Sequence, residues 1–133
     1  MDKAVLAGAD LSDATISGAI FNDTTPHGLT ASQFYTTKDY QNKNLSQIGL
    51  AYNDLSGWHL SQQNLTGANF TQSDLNNADM TESNLHQSIL DHANLSNANL
   101  SGANLFQASL KNTDFTNAIV KNADFRDTTV QRQ

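Results

Sequence analysis

The sequence predicts a solenoid, a chain wound into coils that stack on one another, and three features of one repeat predict it. Between residues 45 and 130 every fifth residue is large and apolar, a small residue lies two positions before most of the later ones, and Asn or Asp often lies between the two. A fixed period of this kind indicates the architecture before any local interpretation. The large apolar positions are Leu45, Leu50, Leu55, Leu60, Leu65, Phe70, Leu75, Met80, Leu85, Leu90, Leu95, Leu100, Leu105, Leu110, Phe115, Val120, Phe125 and Val130.

A period of five fits neither regular secondary structure. A helix turns by about 100° per residue, so steps of five drift around its surface without forming an apolar stripe. Side chains of a strand alternate with a period of two, so leucines five residues apart would point to opposite faces. We therefore expect the chain to turn a corner once per repeat, so that each large apolar residue again points inward.

The two residues before each large apolar residue have predicted orientations. The small residue points inward and leaves room for the Leu side chains, whereas the Asn or Asp points outward, as do the two residues after the Leu. Backbone hydrogen bonds between coils then satisfy the main chain, and the stacked Leu and Phe side chains supply the buried apolar surface. The small inward residues include Ala68, Ser73, Ala78, Ser83, Ala93, Ala98, Ala103 and Ala108.

The units ANLSN, ANLSG, ANLFQ, ADFRD and ADMTE resemble the A-[DN]-L-x-x unit of pentapeptide repeat proteins. Eighteen units keep this register over residues 43–132, and a second block, AVLAG-ADLSD-ATISG-AIFND, spans residues 4–23 one residue out of phase. The resemblance implies an all-β fold, a right-handed quadrilateral β-helix with four repeats and about 20 residues per coil. Roughly five to six coils would then form a rod about 25–30 Å long, at the spacing of neighbouring strands.

The sequence predicts a single domain over residues 1–133, with one insertion between its two repeat blocks. Residues 4–23 form the first coil, 24–42 a turn plus a short α-helix, and 43–132 the main repeat run. Thr30 as N-cap, Gln33 closing a capping box, and a staple between Leu29 and Phe34 predict a helix from residue 31 to about residue 37 or 39. The insertion resembles one in a subset of bacterial pentapeptide repeat proteins. Because the repeat begins almost at once, the sequence is also compatible with a segment of a longer protein.

Composition disfavours several classes of function. The chain has no Cys, which excludes a thiol nucleophile and a Cys-based zinc site. Its net charge of −6 disfavours binding to the phosphates of nucleic acids. No apolar run is long enough to span a membrane. No catalytic, cofactor-binding or metal-binding motif is present, so we expect no enzyme, no cofactor and no metal site.

The units just after the insertion depart from the repeat. Their small inward positions hold Lys43, Ile48, Asn53, Trp58 and Gln63. We interpret Trp58 as a packing residue in a coil adapted to the helix, because large aromatic side chains mostly pack. The alternative is that Trp58, Tyr52 and His59 line a small binding groove beside the helix.

Stacking places residues twenty apart above one another, so outward residues form columns. One column contains Asp54, Asp74, Asn94 and Asp114. Neighbours about 5 Å apart could raise a carboxylate pKa or share a cation, although a solvated column is the simpler interpretation. A second column, Asn44, Asn64, Asn84, Asn104 and Asp124, forms an amide ladder. A third brings His86 and Phe106 together with Thr66 and Arg126, and Phe106 is an exposed apolar contact there.

These observations favour a non-enzymatic structural or protein-interaction module, a rigid rod that presents flat faces to an unidentified partner or acts as a spacer. The candidate interaction residues are Asp54, Asp74, Asp114, Trp58, Tyr52 and Phe106. The alternative is a DNA mimic that binds gyrase, as quinolone-resistance members of the family do, although those members are longer and more acidic. A further expectation is end-to-end self-association through the C-terminal coil, where Phe125, Val130 and unpaired strand edges would be exposed.

Overall fold

The computed structural model describes residues 2–130 and shows coils of twenty residues stacked in register. Parallel β-bridges join Asn44 to Asn64, Asn64 to Asn84, Asn84 to Asn104 and Asn104 to Asp124. Four five-residue units therefore complete each coil, and the coil has four sides. Side 1 contains residues 43–45 and their equivalents every twenty residues later. Sides 2, 3 and 4 begin in the same way at residues 48–50, 53–55 and 58–60.

Each side is held by backbone hydrogen bonds to both neighbouring coils. The Leu95 N–H donates to the carbonyl of Asp114 at 2.7 Å, and the Asn94 N–H donates to the carbonyl of Ser73 at 2.9 Å. Only one residue per side forms a bridge, so the described residues contain single parallel bridges and no extended strand. The predicted all-β fold is therefore present as a ladder of bridges, accompanied by helices in the insertion.

The predicted orientations within the repeat are confirmed in the central coils. Leu95 and Leu100 are fully buried, and the small residues Ala98 and Ala103 are at most 1 % exposed. The outward residues Asn94 and Asn99 are only partly buried. At each corner the second residue adopts a left-handed conformation, as at Asn97 with φ 60°. Where the outward residue is Asn or Asp, its side-chain oxygen stabilises the turn by accepting the backbone N–H two residues later, as Asn94 does from Ser96.

The insertion contains more structure than the single predicted helix. A 3₁₀ turn spans Thr25–His27, helix α1 spans Ala31–Tyr35, and helix α2 spans Lys38–Gln41. The predicted capping box of Thr30 and Gln33 is present at the start of α1. The prediction of one helix continuing to residue 37 or 39 is wrong. Thr37 has an extended conformation, with ψ 152°, and its hydroxyl accepts the N–H of Tyr40, so a second helix begins there.

The insertion also brings the first block into register with the main run. Ile20 forms a parallel bridge with Gly49, a separation of 29 residues, nine more than in the regular coils. The first block therefore stacks on the next coil despite its one-residue difference in phase. At the other end of the described chain the core is less covered, since Val120 is 41 % and Val130 63 % exposed. Residues 131 and 132, where the predicted repeat run ends, lie outside the described residues.

Candidate interaction surfaces

Trp58 lies in the contact between the insertion and the first regular coil. Its side chain is 5 % exposed, and its ring centroid is 5.1 Å from that of Phe34 and 6.3 Å from that of Tyr35. This arrangement agrees with the interpretation of Trp58 as a packing residue. Tyr52, in contrast, is 53 % exposed at another corner, where it lines a shallow depression with Asp2, Lys3, Asn22 and Asp23. The structure therefore does not bring Trp58 and Tyr52 together in the predicted groove.

Two tyrosines of the insertion complete the backbone ladder of side 4. The hydroxyl oxygen of Tyr35 accepts the His59 N–H at 2.8 Å, and the Tyr40 hydroxyl donates to the His59 carbonyl at 2.6 Å. In a regular coil, backbone groups of the preceding coil make these two bonds. The Asp79 N–H, for example, donates to the Trp58 carbonyl, and the Asp79 carbonyl accepts the Leu60 N–H. The two tyrosine rings stack with centroids 4.7 Å apart. No repeat position or motif in the sequence indicated this role.

Two buried polar side chains also form hydrogen bonds with backbone groups, at other sides of the rod. The Asn53 amide oxygen accepts the N–H groups of Thr24 and Thr25, and its amide nitrogen donates to the Phe21 carbonyl. The Asp39 carboxylate accepts the N–H groups of Ile16 and Ser17, each at 2.7 Å. The hydrogen bond from Ser17 lowers the pKa of Asp39, although its burial acts in the opposite direction. No sequence motif indicated either role, because both depend on where the insertion lies.

The three candidate aspartates lie together on side 3, as predicted. Parallel bridges connect Asp54 with Asp74, Asp74 with Asn94, and Asn94 with Asp114. One oxygen of each carboxylate is bound to its own corner, for example to the Ser56 N–H at 3.1 Å. Hydrogen bonds from the Ser56 and Thr116 hydroxyls lower the pKa values of Asp54 and Asp114. The pKa values of these two residues are therefore lowered, not raised as in the alternative to a solvated column.

No metal centre is formed by acidic and histidine side chains in the part of the chain that the structure describes. The carboxylates of side 3 instead act as corner caps, with their second oxygens directed away from these bonds. Among the described helices, none has the length and apolar character needed to cross a membrane.

Phe106 lies at the corner between sides 1 and 2, in the predicted column with His86 and Arg126, where it is partly buried and not exposed as predicted. The His86 and Phe106 rings are nearly parallel, with an interplanar angle of 6° and centroids 5.5 Å apart. The Arg126 guanidinium lies 5.4 Å from the centre of the Phe106 ring and is also paired with Asp124 at 2.8 Å. The His86 Nδ1 is 3.0 Å from the Phe106 carbonyl. Because a carbonyl only accepts, Nδ1 carries the proton in this contact.

In the central coils, the sides around this stack lack charged residues, and the Arg126–Asp124 pair lies in the next coil beyond them. We define the uncharged surface as the outward residues of 63–70, 83–90 and 103–110, which contain no Asp, Glu, Lys or Arg. The remaining residues of the same coils, 71–82 and 91–102, contain Asp74, Asp79, Glu82 and Asp91. The central coils therefore have one acidic half and one uncharged half, with His86, Phe106 and the 38 % exposed Ile89 in the uncharged half.

The fold and these surfaces define a four-sided repeat solenoid whose flat sides carry columns of identical positions. The chain belongs to the pentapeptide repeat family: the sequence model of the pentapeptide repeats matches eight copies, over residues 1–25, 54–91 and 93–132. The unmatched residues 26–53 contain both helices and the first atypical units. No curated protein sequence matches the chain.

Several solved structures are similar. Rfr23, a pentapeptide repeat protein from the cyanobacterium Cyanothece 51142, is 34 % identical over 66 % of this chain, with a TM-score of 0.64. This chain spans 60 % of the length of Rfr23. A pentapeptide repeat protein of the Arabidopsis thaliana thylakoid lumen is 26 % identical, covering 57 % of this chain and 63 % of its own, with a TM-score of 0.39. HetL from Nostoc sp. strain PCC 7120, involved in heterocyst differentiation regulation, is 24 % identical, covering 89 % and 58 %, with a TM-score of 0.36.

Proposed function

We propose that this protein is a non-enzymatic interaction module, a rigid rod that binds a protein partner through its uncharged surface. The observation that carries this proposal is the division of the central coils into an acidic half and an uncharged half. The cores of protein–protein interfaces are depleted in charged residues and enriched in aromatic ones. The uncharged surface has this composition, with His86 and Phe106 at its centre and Ile89 beside them.

The geometry of the stack supports a protein as the partner. His86 and Phe106 cover each other's ring faces, so a partner meets mainly their edges and the adjacent amide side chains. Asn84, Asn104 and Gln107 surround the rings on neighbouring columns. Such a mixture of aromatic edges and amides suits the polar and apolar groups of a protein surface. Of the sequence-predicted candidates, Phe106 belongs to this surface, and Asp54, Asp74 and Asp114 belong to the acidic half.

The gyrase-binding alternative has weaker support. A DNA mimic requires carboxylates that imitate the phosphates of both strands, whereas half of each central coil here carries no charge. The side 3 column also contains Asn94 between its aspartates. Both features disfavour imitation of DNA by this rod.

Three further proposals concern the whole rod. Residues 1–133 form a single domain, and the coils wind with the right hand of the family. Self-association through the C-terminal coil is supported by the exposed Val120 and Val130 beside the half-buried pair Phe115 and Phe125, whose ring centroids are 5.8 Å apart.

Site-specific photo-crosslinking tests the proposed surface. A photoreactive phenylalanine analogue replaces Ile89 on side 2 or, as the matched control, Asn99 at the equivalent outward position of the opposite side 4. Each variant is irradiated in extract from the native host. We expect a discrete protein adduct from position 89 and none from position 99. Adducts from position 99 alone, or from neither position, contradict the proposal.

A further inference from the structure

Side 1 carries a column of outward amide donors. In Asn64, Asn84 and Asn104 the amide oxygen accepts the N–H two residues later, at 3.1, 3.1 and 2.9 Å. A backbone N–H can only donate, so each amide oxygen is held at its corner. The NH₂ group of Asn104 donates to the Asn84 oxygen at 3.4 Å. Asn44 begins the same column, where its oxygen accepts the Ser46 hydroxyl at 2.9 Å. Within the described residues, the NH₂ groups of Asn44, Asn64 and Asn84 make no hydrogen bond.

Side 3, which lies opposite side 1, carries the complementary column of acceptors. Asp54, Asp74 and Asp114 occupy the same repeat position as those asparagines, and each uses Oδ1 to hold its corner. Their Oδ2 atoms make no hydrogen bond within the described residues. Asp54 and Asp114 are exposed and Asp74 is partly buried. The same position of the repeat therefore provides amide donors on side 1 and, except at Asn94, anionic acceptors on side 3. The NH₂ group of Asn94 donates to Oδ1 of Asp74 at 3.3 Å.

We propose that a second copy of this chain docks side 1 of its rod against side 3 of the first. This inference rests on the proposed function, because it assumes that the rod presents flat sides to proteins. In both columns neighbouring residues are separated by one coil, about 4.8 Å. A second copy supplies carboxylates at the same spacing as the amides, so several hydrogen bonds form at once. Hydrogen bonds to a carboxylate are stronger than those between neutral groups.

The chemistry also determines the symmetry of the contact. Side 1 against side 1 brings donors together, and side 3 against side 3 brings carboxylates together. Only the pairing of unlike sides matches donors with acceptors. Such a heterologous contact leaves one free donor side and one free acceptor side on every pair, so association continues into an open array rather than stopping at a dimer. Both chains are acidic and the contact is exposed, so added salt screens the repulsion between them.

Two variants separate the two halves of the contact. The donor variant, Asn64→Asp with Asn84→Asp, converts side 1 donors to acceptors. The acceptor variant, Asp54→Asn with Asp74→Asn, converts side 3 acceptors to donors. Both residue types already hold corners in this chain, so the coils keep their caps. A control variant, Asn69→Asp with Asn99→Asp, adds the same charge as the donor variant but on sides 2 and 4.

Sedimentation velocity from micromolar to millimolar protein provides the test. All proteins in this test carry Val120→Asp with Val130→Asp, which removes the separate contact proposed for the C-terminal coil. We expect the protein with unaltered sides and the control variant to sediment faster as concentration rises, and each contact variant alone to remain a monomer. Each contact variant alone carries the same kind of group on both sides, whereas an equimolar mixture again offers amide donors on one variant and carboxylate acceptors on the other. We therefore expect this mixture to associate with rising concentration, as the protein with unaltered sides does.

If the protein with unaltered sides is a monomer at all concentrations, this inference is overturned, whereas the crosslinking result at Ile89, on side 2, is unaffected. Association that persists in both contact variants also overturns it. A mixture of contact variants that remains monomeric contradicts the pairing of unlike sides.

Discussion

The hydroxyl of Tyr40 donates a hydrogen bond of 2.6 Å to the backbone carbonyl of His59. This side chain replaces a main-chain partner, because helices α1 and α2 occupy the place where a preceding coil would continue side 4. Tyr35 supplies the other half of the replacement at the His59 N–H. The insertion is therefore joined to the ladder by side chains at a position where no strand is available.

Loss of these hydroxyls is expected to destabilise the protein. Tyr35→Phe and Tyr40→Phe keep the stacked rings but leave the N–H or the carbonyl of His59 without its partner. We expect each change to lower the free energy of unfolding by about 0.5–1.5 kcal/mol, the typical net contribution of a hydrogen bond, measured by urea denaturation. Tyr52→Phe is the matched control, because its side chain is 53 % exposed, and it should have little effect. Equal losses in all three variants would contradict the role of the hydroxyls.

Asp39 is expected to make stability depend on acid pH. Its pKa in the folded protein is lowered, mainly by the hydrogen bond from the Ser17 N–H. The stabilisation is therefore fully present above the pKa of the unfolded chain, about 3.9. It disappears as the pH falls through the lower folded value. Urea unfolding from pH 7 down to pH 3 should show that Asp39→Asn is less stable at neutral pH and that its difference from the unaltered protein narrows below about pH 4. A difference that stays constant over this range would contradict the assignment.

Substitution by Ala should lower the free energy of unfolding more at inward positions of the repeat than at outward positions. Leu95 and Leu100 are fully buried, so Leu→Ala at either position should cost roughly 2–5 kcal/mol in unfolding free energy. Asn94→Ala and Asn99→Ala remove mainly a corner hydrogen bond and should cost about 1 kcal/mol. Chemical denaturation of the four variants compares inward with outward positions. Equal costs would refute the assignment of the sides.

Gyrase provides a test against the alternative function. We expect neither inhibition of supercoiling nor protection from quinolones at micromolar protein, because half of each central coil carries no charge. A supercoiling assay in the presence and absence of a quinolone measures both effects. A clear effect that is lost when Asp54, Asp74 and Asp114 are changed to Asn would instead support charge mimicry.

The sequence predicts those parts of this structure that depend on local periodicity. The five-residue register was sufficient to predict that Leu95 points inward and Asn94 outward, and a capping box was sufficient to place the start of α1 at Ala31. The columns, including the contact of His86 with Phe106, followed from the period together with the four repeats per coil that the family resemblance implies.

The roles of the insertion could not be predicted in this way. The second helix depends on the extended conformation of Thr37, and the use of Tyr40, Asp39 and Asn53 as backbone partners depends on how the insertion lies against two coils. These residues are far in sequence from the groups they bind, as with Asn53 and Thr24, 29 residues apart. The division into acidic and uncharged halves was present in the sequence, but it becomes visible only after residues are assigned to sides.

The coil of twenty residues also limits how the gene can change in length. Duplication or loss of a whole coil would preserve every column. Deletion of a single five-residue unit would leave the inward leucines in place, yet it would rotate all later residues by one side. Removing residues 71–75, for example, would transfer Asn84 and Asn104 from side 1 to side 4. Such a deletion would spare the core and rearrange the surface, so it would separate folding from recognition in a single genetic event.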